Sequence, residues 1–188
     1  MDDLRNEFLQ AKKMLDDFIS GKDNFELIAA AGKMMVNSLQ SGGKIISCGN
    51  GGSMCDAMHF AQELTGKYRD DRAPVAAISI SDPSYITCTA NDYGYDRIFS
   101  RFIEAAGNKG DILLAISTSG SSASILLAAQ SAREKEMKVI SLTGKDGGKL
   151  SGLSDIEIRA PLSIYADRVQ ELHIKIIHSL VFYIEKNL

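Results

Sequence analysis

The chain has 188 residues, 45% of them hydrophobic and 24% charged, with a formal net charge of -3. These proportions are those of an ordinary soluble globular chain and disfavour disordered or fibrous classes, and the length suffices for one well-formed core. The slight acidity argues against nucleic acid as the main partner, because phosphate backbones are met by an excess of Lys and Arg, but an anionic metabolite needs only a local site.

Cys48, Cys55 and Cys88 are an odd number without CxxC spacing, which fits free thiols in a reducing compartment. The start, "MDDLRNEF", is acidic and lacks the apolar stretch of a signal peptide. Runs such as "ILLAI" at 112–116 are too short to cross a bilayer. A cytoplasmic protein without membrane contact is expected.

In chain order, residues 2–19 place Leu4, Phe8, Ala11, Leu15 and Phe18 at spacings of four and three, the stripe of an amphipathic helix. "GKD" at 21–23 breaks it, and 24–40 is again helical until "SGG". From there short apolar runs alternate with helical segments: "KIISC" at 44–48, a helix from about Ser53, "VAAISI" at 75–80, and helical segments flanking "TANDYGYD". Then come "DILLAI" at 111–116, a helix from about Ser122, "KVISLT" at 138–143 and "DIEIRA" at 155–160. Such alternation predicts an α/β fold, doubly wound, with a mostly parallel five-stranded sheet flanked by helices. The last segment, 165–187, is apolar along two lines, one through Val169, Leu172, Ile176 and Leu180 and one through Ile174, Ile177, Val181 and Ile184. It belongs deep in the core or between subunits, so a homo-oligomer is expected. No internal boundary is visible; 1–188 reads as one domain, with a helical pair over 1–41 and an α/β core plus C-terminal helix over 42–188.

Two strand ends carry the chemistry. After "DILLAI" come Ser117, Thr118, Ser119, Gly120, Ser121 and Ser122, then a helix. Hydroxyls and free N–H groups at a helix start suit a phosphate, although Ser is also favoured there simply as an N-cap. No Walker lysine follows, so nucleoside triphosphates are not indicated. After "KIISC" come Gly49, Asn50, Gly51, Gly52 and Ser53, where glycines let backbone amides approach a ligand; the third glycine of a dinucleotide fingerprint is missing. On the helix that follows, His59 and Glu63 are four apart and share a face, as an exposed ion pair, a metal site or an acid-base pair. In "YADRVQELHIKIIH" Gln170, His173 and His178 interrupt an apolar helix, where a polar group needs a partner; His173 is readable as a satisfied core histidine.

The series "SCGNGGS", "DAMHFAQELTG", "AND", "ISTSGSS", "VISLTGKDGG", "DIEIR" and "YADRVQELHIKIIH" resembles the sugar isomerase (SIS) domain family over nearly the whole chain, and in particular its branch acting on seven-carbon sugar phosphates. The resemblance implies conversion of D-sedoheptulose 7-phosphate to D-glycero-D-manno-heptose 7-phosphate through an enediol, the first step of ADP/GDP-heptose biosynthesis for lipopolysaccharide core. It implies substrate binding by Asn50, Gly51, Gly52, Glu63, Asn91, Asp92, Ser117, Thr118, Ser119, Ser122 and Gln170, one Zn²⁺ held by His59, Glu63, Gln170 and His178, and catalysis by Glu63 and His178. It also implies a homotetramer with sites at subunit interfaces. Met54, Gln62 and Lys67 depart from residues common in this branch, where His, Glu and Arg are frequent; a lysine cannot reproduce arginine's bidentate fork. Gln170 and His178 are eight residues apart, about 12 Å along a helix, too far for both to reach one ion comfortably. One of them, by this reading His178, is therefore expected from a neighbouring subunit. The alternative is a noncatalytic SIS-domain adaptor that binds the replication initiator; it predicts loss of Glu63 or His178, and both are present.

Overall fold

A computed structural model describes all residues, 1–188. Two helices, α1 (Asp2–Ser20) and α2 (Asn24–Gln40), precede the first strand. Then follow β1 (Ile45–Gly49), α3 (Gly52–Thr65), β2 (Ala77–Ser79), α4 (Pro83–Tyr93), a 3-10 turn at Tyr95–Arg97, and α5 (Ile98–Ala106). The chain ends with β3 (Ile112–Ser117), α6 (Ala123–Glu134), β4 (Lys138–Thr143), the single-turn α7 (Gly148–Ser151), β5 (Ile156–Arg159) and the 22-residue α8 (Ala166–Asn187).

The five strands form one sheet in the order β2-β1-β3-β4-β5, and every pairing is parallel. The expectation of a mostly parallel sheet is met by a wholly parallel one. The three central strands β1, β3 and β4 are buried on both faces, and Ile45, Ile46, Leu113, Leu114 and Val139 expose essentially nothing, whereas the edge strands β2 and β5 are partly exposed. Each such side chain contributes roughly 2 kcal/mol, which is why the runs read as continuously apolar. The two faces carry separate clusters, one formed with α2, α3 and α8 and the other with α5 and α6. The chain moves outward from β1 to β2 and returns on the other side at β3. The crevice between the ends of β1 and β3 is therefore the switch point where open α/β sheets bind ligands, and both glycine or serine turns end there.

Two expectations become specific. The break in "TANDYGYD" is confined to Gly94, since α4 runs on through Tyr93 and a 3-10 turn begins at Tyr95. Asp82 accepts the Tyr85 N–H at 2.7 Å and Pro83 opens the helix, so its start is capped strongly enough to carry it to Gly94. More consequentially, α8 is covered within the chain itself. Val169, Leu172, Ile176, Ile177, Leu180, Val181 and Ile184 are all buried, because α8 packs against both α2 and α3 over the sheet. Its apolar breadth thus needs no second copy. Uncovered apolar surface lies on α1, where only Met14 and Phe18 are buried and Phe8 is 80% exposed, and on the segment leading into α8, where Leu162 and Ile164 are exposed. No helix is long and apolar enough to cross a membrane.

Candidate active site

The β3–α6 turn is held in place by backbone. The Gly120 N–H donates to the Ser117 carbonyl at 3.0 Å, and the Leu150 N–H to the Gly120 carbonyl at 2.9 Å, tying the turn to the Gly147–Gly148 loop after β4. Gly120 has φ +61° and packs on Gly147 so closely that any Cβ would collide with the Gly147 carbonyl. Ser122 occupies the N-cap position of α6, yet its hydroxyl makes no cap hydrogen bond. The Ser117 hydroxyl is buried without a partner. The serines are therefore not spent on capping, and the turn offers free donors at a helix start, as an anion site requires.

The β1–α3 turn faces it. Asn50 donates through Nδ2 to Ser124 Oγ at 2.9 Å and accepts from the Tyr95 hydroxyl at 2.9 Å, joining the start of α3 to α6 and to the turn after α4. At Gly52 an added Cβ would lie 2.6 Å from Gln170 Oε1, so the missing side chain is what lets α8 approach here. Asn91 and Asp92 sit exposed near the end of α4, bonded to each other at 2.9 Å, and make no contact with the catalytic candidates within the chain.

α3 and α8 run side by side, Gln170 against Gly52 and His178 against His59. His59 Nε2 lies 3.0 Å from Glu63 Oε1 and 3.1 Å from His178 Nε2. One ligand atom from each of these three residues falls within 4.8 Å of the others. The expectation that His178 comes from a neighbouring subunit is overturned, because the parallel course of the two helices brings it to its own His59 and Glu63. The underlying helix geometry holds, and Gln170 is the residue left out: it stands two turns away, over Gly52, in an open concavity lined also by Cys55, Asp56 and His59.

The donor set fits a cation. One N–H cannot serve both contacts of His59 Nε2, Glu63 Oε2 is buried with no partner, and nitrogen and carboxylate lone pairs converge as they do around zinc. The His178 imidazole is held below its ordinary pKa by burial, and further by His59, Lys175 and Arg69, against the opposing pull of Glu63; it is neutral near pH 7.

Asp56 and Tyr68 escaped the sequence reading. Asp56 is 8% exposed, its Oδ2 has no partner, and burial pushes its carboxyl up to about 6 despite nearby His59. It falls on the buried stripe Ser53, Asp56, Ala57, Phe60, Ala61, Leu64, and an acid on an apolar stripe was the available signal. Tyr68 stacks on His178 with ring centroids 5.8 Å apart; nothing in the local pattern announces it. His173, by contrast, is a core histidine, fully buried with Nε2 donating to the Thr143 carbonyl at 2.9 Å, but it is only half satisfied, because its Nδ1 is buried without a partner.

Fold and site together define a sugar-phosphate-handling α/β domain, and the chain belongs to the SIS domain family, whose profile matches residues 8–144. Within that family it falls in the phosphoheptose isomerase branch. It is 57% identical to the phosphoheptose isomerase of Enterobacter sp. (strain 638) and 55% identical to that of Aeromonas hydrophila, in each case over 98% of this chain and 96% of the relative. The solved structure of a phosphoheptose isomerase from Francisella tularensis matches with TM-score 0.93 at 39% identity, covering 98% of this chain and 97% of that one.

Proposed function

We infer that the chain is an isomerase converting sedoheptulose 7-phosphate to D-glycero-D-manno-heptose 7-phosphate, with Glu63 and His178 as its proton-transfer pair. The observation that carries this is the convergence of Glu63, His59 and His178, from helices more than a hundred residues apart in sequence, in a chain that also carries a turn with a buried, unpartnered Ser117 hydroxyl at a helix start. Ketose-to-aldose conversion removes a proton from C1 and returns one at C2, with charge developing on the oxygens between. Glu63 is the base that takes the C1 proton. His178, neutral and backed by Tyr68, moves the proton between O1 and O2 of the enediol. Ser117, Thr118, Ser119 and Ser122, with the amides at the start of α6, hold the phosphate, and Asn50, Gly51 and Gly52 line the other side of the crevice. Asn91 and Asp92 contact the sugar hydroxyls.

His59, Glu63 and His178 would hold a zinc ion, with Gln170 of another copy as the fourth ligand. A bound Zn²⁺ supplies Lewis-acid polarisation of the substrate oxygens.

Gly52 and Glu63 are separated by roughly 16 Å of helix, whereas a seven-carbon phosphate spans roughly 10 Å when extended, at about 1.3 Å of advance per bond. Gln170 stands at the Gly52 end. Both facts favour a site completed between copies, the phosphate turn and Gln170 of one chain meeting the Glu63 and His178 of another. The exposed apolar face of α1 favours the same homo-oligomer, a tetramer by family resemblance. The product feeds heptose biosynthesis for lipopolysaccharide in the cytoplasm.

The test is incubation with sedoheptulose 7-phosphate, with and without chelator and added Zn²⁺, following aldose phosphate. Turnover is expected, and silence under every condition would overturn the reading.

A further inference from the structure

The segment leaving α3 is laid along α8 in register. Tyr68 stacks on His178 at 23° between ring planes. The Arg69 guanidinium lies 5.0 Å from the Tyr68 ring centroid and 5.4 Å from that of Phe182. Arg72 Nε donates to Glu185 Oε1 at 3.1 Å. The α8 partners 178, 182 and 185 follow each other at spacings of four and three, along one helix face.

Arg72 has a second set of contacts. Its Nη2 donates to the Glu63 carbonyl at 2.7 Å, and its Nη1 to the Leu64 carbonyl at 2.9 Å and the Ala73 carbonyl at 3.1 Å. α3 ends at Thr65, so the Glu63 and Leu64 carbonyls belong to the last turn, where no intrahelical N–H is available. The Arg72 and Glu185 side chains are only 14% and 5% exposed. A single guanidinium thus holds, at once and out of water, the backbone of Glu63 and a carboxylate two turns beyond His178 on α8.

We propose that Arg72 is a positioning residue for the proton transfer, fastening the turn of α3 that carries Glu63 to the stretch of α8 that carries His178. This rests on the reading that Glu63 and His178 are the proton-transfer pair. Arg72 touches neither reacting side chain. Its role is to fix their separation, and a displacement of an ångström or less in such a pair is costly to turnover. The fork is essential, because a lysine at 72 can reach Glu185 or a carbonyl but cannot cap both while keeping the ion pair. A merely structural ion pair would change stability and leave turnover per folded molecule intact.

The test compares Arg72→Ala, Arg72→Lys and Glu185→Gln with the wild-type chain, and with Glu63→Gln in parallel. Melting temperatures are recorded first, and kcat and KM for sedoheptulose 7-phosphate are then measured well below them. Arg72→Ala is expected to lose about 10- to 100-fold in kcat, with KM changed less than about threefold because Arg72 bonds only to Glu185 and to the Glu63, Leu64 and Ala73 carbonyls and not to the β3–α6 phosphate turn. Arg72→Lys and Glu185→Gln are expected to fall between. Arg72 and Glu185 line a cavity of about 600 Å³ together with Leu39, Pro74, Val75 and Leu188. Added millimolar guanidinium can therefore reach the vacated place, and should restore kcat several-fold in Arg72→Ala and not at all in Glu63→Gln. A folded Arg72→Ala protein with wild-type kcat, or one whose KM rises while kcat holds, would overturn the proposal. If that variant does not fold, wild-type kcat in both Arg72→Lys and Glu185→Gln does so instead. Retained turnover in Glu63→Gln would remove the base assignment, and this proposal with it, whatever Arg72 does.

Discussion

The turn after β3 and the seam between α3 and α8 are built from different materials. The turn is backbone: Gly120 against Gly147, amides at a helix start, and hydroxyls that no cap consumes. The seam is side chain: two imidazoles and a carboxylate brought within 4.8 Å of one another by helices that meet only in the folded chain. A backbone site tolerates loss of one hydroxyl and fails when a Cβ is added. A side-chain site fails when one functional atom changes, even if shape is kept.

Substitutions can sharpen or break that contrast. The largest effect is expected at the seam, where Glu63→Gln preserves volume but removes the base, and kcat should fall by about 10³-fold with little change in melting temperature; stopped assays on folded protein check this. Next is His173, buried between α8 and the end of β4, whose imidazole is pushed down to about 4 by burial, with the Thr143 carbonyl pulling the other way. Below its ordinary value of 6.5 the unfolded chain takes up a proton that the folded chain refuses, so stability falls as pH drops from about 6.5 to about 4, by up to roughly 3 kcal/mol. Urea titrations across that window should show the slope in the wild-type chain and its loss in His173→Gln.

At the turn, Gly120→Ala must meet both a positive φ and the Gly147 carbonyl. A stability loss of about 2 kcal/mol is expected, along with a raised KM, by thermal unfolding and saturation kinetics. The smallest effect is Ser122→Ala. Because its hydroxyl caps nothing, KM should rise by roughly three- to tenfold, the worth of one or so kcal/mol of hydrogen bonding, with the melting temperature unmoved. A large fall in stability there would show the serine to be an ordinary N-cap and would erase the contrast between the two regions.

Much of the turn was legible because strand, turn and helix are consecutive, so its chemistry is written in one stretch from Ile112 to Ser122. The His59–Glu63 pair was legible for the same reason, one helical turn spanning i to i+4. That His178 is a same-chain neighbour was not, because helical spacing gives which residues share a face but not which helix lies opposite. The C-terminal helix shows the same limit, since its two apolar lines announced burial without saying that α2, α3 and the sheet supply it.

The sequence by itself determined the alternation of strands and helices, the parallel sheet, the glycine- and serine-rich turns at the ends of β1 and β3, and the family. These follow from local periodicity and from motifs whose parts are contiguous. Only the tertiary structure decided that Gln170 and His178 serve opposite ends of α3, that Asp56 is an unpartnered buried acid, that α1 rather than α8 is left uncovered, and that Arg72 ties Glu63 to the helix of His178. Those depend on the packing of segments far apart in the chain, which short-range pattern does not encode.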